Sequence, residues 1–354
     1  MANSSSSSWR ARLRSFATAP AVVSRIRQFM DAARVRRDVM EVQVVRETPR
    51  TLPSFPVSWR DAITMDPLRA LGLGVQFGRV DVVAASIGMM SESEREAARN
   101  SEQVVDIFHM AVMEATWAAV LLVRSGLVTV DGQFVGFNLF ELALRFNAAD
   151  VLREFEKKGL PPTVTPVQRL HAASLLNDLD QVQALLEENP DIGINALDAR
   201  GRSVLGYAAM GGSLDVLGWL LAQPGIDVNA GDDNPLFQAM RRGHPHVVEV
   251  LLMDARMNTI DPYEPELTLF HHVFTAPQEM WEEMLGIVIN SGRANVNQGY
   301  FNGQTALHVA AEEGATNIVR RLLQVPGIDL TIRDRRGKTA YDLAVLMGWG
   351  ETAA

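Results

Sequence analysis

The chain has 354 residues and no cysteine, with 47% hydrophobic residues, 21% charged residues and a net charge of −9. This composition can bury a large core and is unlike that of a disordered chain. The absence of cysteine excludes a disulfide scaffold, a cysteine nucleophile and cysteine-bound metal. The acidic charge argues against nucleic acid as a partner, and no apolar run approaches the roughly 18 residues of a membrane span.

Positive charge is concentrated in residues 1–46, which hold nine arginines, no lysine and three acids. Their net charge is +6, so the rest of the chain carries −9 − 6 = −15. Apolar residues recur at 3.6 residues per turn from Ala21, which predicts an amphipathic helix. Its apolar side holds Val22, Ile26, Phe29, Met30, Ala33 and Met40, flanked by Arg25, Arg27, Arg34 and Arg36. Pro49, Pro53 and Pro56 then predict a linker.

Three interpretations of this basic segment remain open. It is a mobile tail followed by a helix packed on the domain, a transit peptide cleaved after Arg14, or a helix that contacts an acidic membrane or partner. We expect a cytoplasmic protein, with a mitochondrial location as the alternative that the transit peptide would require. Membrane contact is expected only through residues 1–46.

The rest of the sequence repeats itself. Gly303–Gly314 reads GQTALHVAAEEG, and related copies begin at Asp334, Asp198 and Asn234. We take the residue expected to cap the first helix of each unit as the marker of the repeat. The markers fall at positions 69, 106, 138, 168, 203, 234, 268, 305 and 339. Their mean spacing is about 34 residues, which is typical of one supersecondary unit per repeat.

Each recurring residue type has a physical role in such a unit. Ser, Thr, Asn or Asp at the marker caps the first helix, and the following Leu or Phe enters the core. Paired alanines let two antiparallel helices approach closely. We expect Gly211, Gly243 and Gly314 to take the left-handed turn between the helices. Val-Val and Leu-Leu pairs form the apolar stripe of the second helix.

This pattern resembles the ankyrin repeat, clearly from residue 166 and more faintly before it. The resemblance implies an all-α solenoid of stacked helix-turn-helix units with short hairpin fingers over residues 60–354. It comprises about eight units and a C-terminal cap, preceded by the basic segment and linker of residues 1–59. The resemblance also implies a monomeric, non-catalytic module that binds a partner protein through its concave face. The alternatives are a regulatory or inhibitory subunit of an enzyme, a tether through the basic helix, and a small-molecule site within residues 60–165.

Most histidines have a structural explanation in the repeat. His109, His171, His271 and His308 lie three residues after a marker, where the ankyrin pattern places a hydrogen-bonding histidine. His244 occupies the turn between helices, which leaves His246 and His272. No carboxylate cluster or third ligand accompanies these two, so we expect no metal and no other cofactor.

Gly72, Gly74 and Gly78 hint at a dinucleotide-binding loop. The preceding stretch Trp59–Arg69 is polar and contains Pro67, whereas such a loop follows a strand. Gly78 also falls in the turn position of the repeat, and we therefore expect no nucleotide site.

The phase of the repeat predicts which residues face a partner from the finger tips and first helices. These are Arg200, Arg202, Met210, Asp233, Arg241, Arg242, Tyr300, Phe301, Gln304, Glu312, Glu313, Arg335, Arg336 and Lys338. We expect the basic residues to form one strip for an acidic segment, with Tyr300 and Phe301 as an aromatic anchor. Arg241 and Arg242 are both expected to be exposed. The simpler alternative is a solvated polar face on which Glu312 and Glu313 pair with the last basic cluster.

Overall fold

The computed structural model describes residues 66–134, 137–300 and 302–353. The predicted amphipathic helix, linker and processing site lie outside these described residues, and so does Phe301. The described residues fall into two compact units, residues 66–172 and residues 173–353.

The chain is mainly helical, as predicted. The elements in chain order are α1 (Pro67–Gln76), α2 (Val80–Met89), α3 (Glu92–Ala98), α4 (Glu102–Glu114), α5 (Thr116–Ser125), β1 (Gln133–Phe134), β2 (Phe137–Asn138), α6 (Leu139–Arg145), α7 (Ala149–Lys158), α8 (Pro166–Leu175), α9 (Leu179–Glu188), α10 (Val204–Gly211), α11 (Leu214–Leu221), α12 (Pro235–Arg241), α13 (Pro245–Met253), α14 (Leu269–His272), α15 (Trp281–Ser291), α16 (Ala306–Glu312), α17 (Thr316–Leu322), α18 (Ala340–Met347) and α19 (Gly350–Ala353). Short 3-10 turns at Val273–Thr275 and Gln278–Met280 connect α14 to α15. β1 and β2 form an antiparallel two-residue hairpin, which agrees with the expected short fingers.

Six of the nine predicted markers are the observed N-caps of first helices. They are Asn138, Ser203, Asn234, Thr268, Thr305 and Thr339. At Ser203, for example, the hydroxyl oxygen accepts the backbone N–H of Gly206 at 3.1 Å. The phase read from the sequence is therefore confirmed in these six units.

The three remaining markers are displaced from the true helix starts. Asp66 and Ser101 cap α1 and α4, three and five residues before the predicted positions. α8 begins after Thr165, whose hydroxyl oxygen accepts the N–H of Gln168 at 3.2 Å. α4 runs for 13 residues, so the apolar residues that match the repeat pattern lie farther from its cap than they do in a regular unit. A further helix, α3, lies between α2 and α4 and begins with a complete capping box at Ser91.

Two adjacent glycines at the end of α10 have different functions. Gly212, rather than the predicted Gly211, takes the left-handed turn, with φ of 71°. A Cβ atom at Gly211 would lie 2.1 Å from the backbone oxygen of Leu175, so Gly211 permits close helix packing instead. Gly243 and Gly314 are left-handed as predicted. Asn147 and Asn177 take the same conformation where no glycine is present, since asparagine tolerates it.

Asparagines link successive fingers in the unit of residues 173–353. Asn195 donates to the carbonyl of Gly225 at 2.9 Å and accepts the N–H of Asp227 at 3.0 Å. Equivalent pairs of bonds join Asn229 to Arg256 and Asn258, and Asn297 to Gly327 and Asp329. Each amide satisfies one backbone donor and one backbone acceptor of the next finger, so neighbouring repeats are held in register.

Histidines supply a second set of links between repeats. His271 Nε2 lies 2.9 Å from the carbonyl oxygen of Gln304, and His308 Nε2 lies 3.2 Å from that of Lys338. A carbonyl only accepts, so each Nε2 carries the proton and each Nδ1 accepts from the capping Thr268 or Thr305 hydroxyl, at 2.8 Å. The predicted structural role of these two histidines is thereby confirmed.

His109 and His171 do not occupy this position, because the markers before them were displaced. His109 lies eight residues after its cap Ser101, and its ring packs at 4.1 Å from that of Phe134. His171 is buried. His171 is therefore part of the packed interior and His109 is half-buried against an aromatic ring, although neither follows its cap by three residues.

The core of each helix pair is an apolar stripe on the second helix. In residues 173–353 these stripes include Val216, Leu217 and Leu220 of α11, Val247, Val248 and Leu251 of α13, and Ile318, Val319 and Leu322 of α17. Within the described ranges, no helix has both the length and the apolar character that crossing a membrane requires.

Replacing His308 with alanine should lower the free energy of unfolding by about 1–2 kcal/mol, because its bonds to Thr305 and Lys338 are buried. Urea denaturation would measure the change. Glu313→Ala, at an exposed position on the same repeat, is the control and should change stability by less than about 0.5 kcal/mol. Equal effects of the two substitutions would contradict a structural role for His308.

Candidate functional site

Arg202 is part of the finger rather than of a free surface. Its Nε donates to Asp198 at 3.0 Å, and Tyr207 donates its hydroxyl hydrogen to the same carboxylate oxygen at 2.7 Å. The guanidinium lies 4.9 Å from the centre of the Tyr207 ring. Although burial acts against its ionisation, the pKa of Asp198 is lowered, because the Arg202 and Arg200 backbone N–H groups, the Tyr207 hydroxyl and the Arg202 charge together outweigh it.

Three of the predicted partner-facing residues are buried, which corrects the expectation that they are accessible. Arg202, Met210 and Gln304 are 7%, 1% and 9% exposed, respectively. Met210 is buried near the end of α10, and its carbonyl oxygen lies 3.1 Å from His244 Nε2. These side chains stabilise the fold and offer little surface to a partner.

Arg241 is also held inside the structure, contrary to the expectation that it is freely exposed. Its Nη2 donates to Asp261 Oδ2 at 2.7 Å, and its side chain is 36% exposed whereas that of Asp261 is fully buried. The other oxygen of Asp261 accepts the N–H of Tyr263 at 2.9 Å. Arg241 therefore neutralises a buried carboxylate that joins α12 to the loop before α14.

His272 completes this buried cluster. Its Nε2 lies 3.5 Å from Asp261 Oδ2, and its ring packs 4.3 Å from that of Phe237. Both ring nitrogens are buried without a hydrogen-bond partner among the described residues. Burial lowers the pKa of His272 to about 4, and the negative charge of Asp261 opposes this effect only in part. The ring is neutral at neutral pH.

Asp261, Glu264 and His272 form a group of possible metal ligands, with their ligand atoms within 4.8 Å of one another. The sequence pattern did not indicate this group, because eleven positions separate Asp261 from His272 and the loop between Asp261 and α14 has no recurring pattern. The Arg241 guanidinium already lies against the Asp261 oxygen that faces His272. This positive charge opposes the binding of a divalent cation at the same oxygen, so the geometry favours a structural ion pair.

A second cluster lies at the finger before α16. Gln304 Nε2 donates to Glu312 Oε2 at 2.9 Å, and the Tyr300 N–H donates to the Gln304 carbonyl at 2.7 Å. The Tyr300 ring lies 5.9 Å from the ring of His271. Glu312 thus accepts from an amide, whereas sequence analysis considered ion pairs with the last basic cluster. Phe301, the proposed second anchor residue, lies outside the described residues.

The remaining candidates are on the surface. Asp233 is partly exposed, and its carboxylate accepts from Gln238 Nε2. The exposed residues among the candidates are Arg200, Arg242, Glu313, Arg335, Arg336 and Lys338. In residues 66–134, 137–300 and 302–353, the side chains of Arg200, Arg242, Arg336 and Lys338 have no recorded hydrogen bond or ion pair. These four cations are therefore available to a partner.

The three glycines near the start of the described chain have structural reasons. A Cβ atom at Gly74 would lie 2.9 Å from Val83 Cγ2, so Gly74 allows α1 and α2 to pack closely. Gly78 is left-handed, with φ of 64°, at the turn between these helices. Gly72 lies within α1. These three glycines are therefore parts of the helix pair α1 and α2 and of the turn between them.

Two family models match the repeats just described. The model described as ankyrin repeats (3 copies) matches residues 170–261, and the model described as ankyrin repeats (many copies) matches residues 289–344. Residues 170–261 and 289–344 are therefore ankyrin repeats, a fold that serves as a protein–protein interaction module. The fold predicted from the sequence is confirmed.

Particular proteins resemble parts of the chain. It is 28% identical over 199 residues to the probable E3 ubiquitin-protein ligase XBOS32 of Oryza sativa subsp. japonica. This match covers 47% of this chain and 40% of that protein. It is 27% identical over 171 residues to the L-asparaginase of Dirofilaria immitis. This second match covers 48% of this chain and 28% of that protein. The chain thus spans less than half the length of either curated relative.

Solved structures also resemble it in part. One is a chain of the complex between the predatory endopeptidase Bd0816 of Bdellovibrio bacteriovorus and immunity protein Bd3460, with 28% identity, a TM-score of 0.43, and coverage of 52% of this chain and 94% of that chain. The ankyrin-repeat protein EF0377 gives 22% identity, a TM-score of 0.45, and coverage of 53% and 95%, respectively.

Replacing Arg241 with glutamine should lower the free energy of unfolding by about 2 kcal/mol, because Asp261 would lose its counter-charge while staying buried. This loss is smaller than that expected for a fully buried ion pair, since the Arg241 side chain is partly solvated. The matched control is Arg242→Gln, which should change it by less than about 0.5 kcal/mol. Chemical denaturation of both variants tests this, and a loss of similar size in each would contradict the distinction.

His272 should make the protein less stable as the pH falls. Its pKa is about 4 in the folded chain and near 6.5 when unfolded, so the unfolded state binds the proton first and stability decreases from pH 6.5 towards 4. His272→Leu removes this pH-dependent loss of stability and also removes a buried group that has no hydrogen-bond partner. The melting temperature of the variant, relative to that of the native protein, should therefore rise as the pH is lowered from 7 to 5. A difference that is independent of pH would contradict the assignment.

Proposed function

We propose that the chain is a non-catalytic binding protein whose partner docks on the first helices and finger tips of residues 173–353. The observation that carries the proposal is the contrast between the arginines of this face. Arg202 and Arg241 are engaged by Asp198 and Asp261, whereas the exposed Arg242 side chain forms no hydrogen bond or ion pair with the described residues. A charge that has no internal partner is the type that a binding partner can use.

The surroundings of Arg242 favour an acidic partner. The Arg242 side chain reaches solvent but is partly buried along its length, and this partial burial lowers its pKa. The repulsion from Arg202 acts in the same direction and exceeds the attraction of Asp233. A carboxylate brought close to Arg242 would relieve this repulsion. Charge-assisted hydrogen bonds between arginine and carboxylate are stronger than neutral ones and can be bidentate.

The finger before α18 offers further positive charge. Arg336 and Lys338 are exposed, and only their backbone N–H groups are engaged, both by Asp334 Oδ1. This arrangement fixes the loop and leaves both side chains free to reach a partner. An extended acidic segment that contacts fingers and first helices would meet these positive groups in turn, as the repeat phase predicts for a docking strip.

Affinity capture from the native cell tests this proposal. The full chain is compared with Arg242→Glu and with Arg320→Glu, a matched charge reversal on the second helix α17, where the side chain is 62% exposed. We expect the captured protein to be lost with Arg242→Glu and retained with Arg320→Glu, and its binding to weaken with added salt. Melting temperatures of both variants should match the native value.

The reverse pattern would contradict the proposed face. If both variants captured the same protein as the native chain with the same salt dependence, the partner would not dock at Arg242. If Arg320→Glu alone abolished capture, the second-helix side would be the binding surface. Turnover of a substrate by the purified chain would contradict the non-catalytic assignment.

A further inference from the structure

The finger before α14 differs from the regular fingers of residues 173–353. In a regular finger, an aspartate five residues before the helix cap closes the turn, as Asp198 Oδ1 does by accepting two backbone N–H groups at 2.8 Å. Asp334 does the same before α18. Before α14, whose cap is Thr268, this position is occupied by Tyr263. The carboxylate is therefore missing from its usual place, and the finger is closed in another way.

Asp261, two residues earlier, closes this finger instead. Its Oδ1 accepts the Tyr263 N–H at 2.9 Å, and its Oδ2 accepts from Arg241 Nη2 at 2.7 Å. Asn258 Oδ1 accepts the Ile260 N–H at 3.0 Å. These bonds fix the backbone of the finger against α12 before any partner arrives, which reduces the entropy that binding would cost.

This rigid finger exposes two large apolar side chains. Ile260 is 55% exposed and Tyr263 is 62% exposed, although Asp261 between them is fully buried. A single exposed apolar side chain is common on protein surfaces and needs no explanation. Two on one fixed segment form a raised apolar contact, and tyrosine is enriched among the residues that dominate interface energies. By contrast, Tyr300, the aromatic anchor expected from the sequence, is partly buried in the following finger.

The charges around this apolar contact differ on its two sides. Arg242, which follows the arginine bound to Asp261, is an exposed cation on the α12 side. On the other side, Glu264 and Glu266 follow Tyr263 and are exposed. A carboxylate of a partner is therefore attracted on the first side and repelled on the second. The finger fits a segment whose acidic residues lie on one flank of a large apolar residue.

We propose that Ile260 and Tyr263 anchor a large apolar side chain of the partner, whose adjacent carboxylates reach Arg242. The occupant is a short segment of another protein, with an aliphatic or aromatic residue and acidic residues on one side of it. This contact rests on the proposed function, because both use the same face of residues 173–353. An acidic segment without the apolar residue would meet the charge of Arg242 but would leave both apolar side chains in water.

Selection of random peptides displayed on phage, with the full chain immobilised, tests this proposal. A labelled peptide with the selected consensus is then titrated with the native chain and with the variants Tyr263→Ala, Arg242→Gln and Tyr341→Ala. Tyr341 is the matched control, because it is also 62% exposed but lies on α18. All three substitutions are at exposed positions, so the melting temperatures should match the native value.

We expect the consensus to combine a large apolar residue with aspartate or glutamate on one flank. Tyr263→Ala should raise the Kd of the peptide at least fivefold without changing its salt dependence, and Tyr341→Ala should change it less than twofold. Replacing the acidic residues of the peptide should weaken binding to the native chain. The same replacement should have little further effect on Arg242→Gln, whose binding is already weaker and less dependent on salt.

Equal effects of Tyr263→Ala and Tyr341→Ala would overturn the anchor. Acidic peptides that lack an apolar residue and respond only to Arg242→Gln would also overturn it, while the proposed function would stand. Apolar peptides that respond to Tyr263→Ala but not to Arg242→Gln or salt would support the anchor and contradict acidic docking at Arg242.

Two further outcomes would also contradict the anchor. If the native chain selects no peptide, the anchor is wrong, and affinity capture alone then decides the proposed function. If the native chain forms a dimer that Tyr263→Ala abolishes, the occupant is a second copy rather than another protein.

Discussion

The described helices of this chain are too short to be stable alone. Most have seven to ten residues, and isolated helices of this length are marginal in water. Each pair must therefore bury its apolar stripe against a neighbouring pair, and local contacts between adjacent repeats have to supply the stability. Asn195, Asn229 and Asn297 support this stacking in residues 173–353 by completing the backbone hydrogen bonds of the next finger. His271 and His308 do the same from the first helices.

The features of each repeat that could be predicted from the sequence are the local ones. A cap such as Thr305 and a turn glycine such as Gly314 act within a few residues of chain, so their spacing is legible without a structure. The six correct markers are of this kind. The markers of α1, α4 and α8 were displaced because they were placed from the apolar residues of the repeat pattern, whereas the capping residue lies farther upstream in these helices. In α4 the cap Ser101 precedes Asp106 by five residues, and nothing in the local letters fixed that distance.

The candidate site was less predictable, because the partners of its charges lie far along the chain. Repeat phase placed Arg241 and Arg242 side by side, but Asp261, which pairs with Arg241 and not with Arg242, is twenty residues away in a loop of irregular sequence. Arg202 could have been recognised earlier, since Asp198 is four residues before it on the same finger. The phase of the repeat therefore predicts the position of a residue within its unit. Whether its side chain is available to a partner depends on counter-charges that only the structure identifies.

The same distinction separates residues that hold the repeats from residues that can recognise a partner. A buried pair such as Arg241 and Asp261 must keep both members, because loss of either leaves an uncompensated charge in the interior. Arg200, Arg242 and Lys338 are under no such constraint from the fold, so their charge can be set by what they bind. Gly72 differs from Gly74 in a parallel way, since packing forbids a side chain at Gly74 and merely tolerates one at Gly72. Repeat packing therefore fixes the identity of Gly74 and of the pair Arg241 and Asp261, whereas it leaves the residue at position 72 and the exposed cations unspecified.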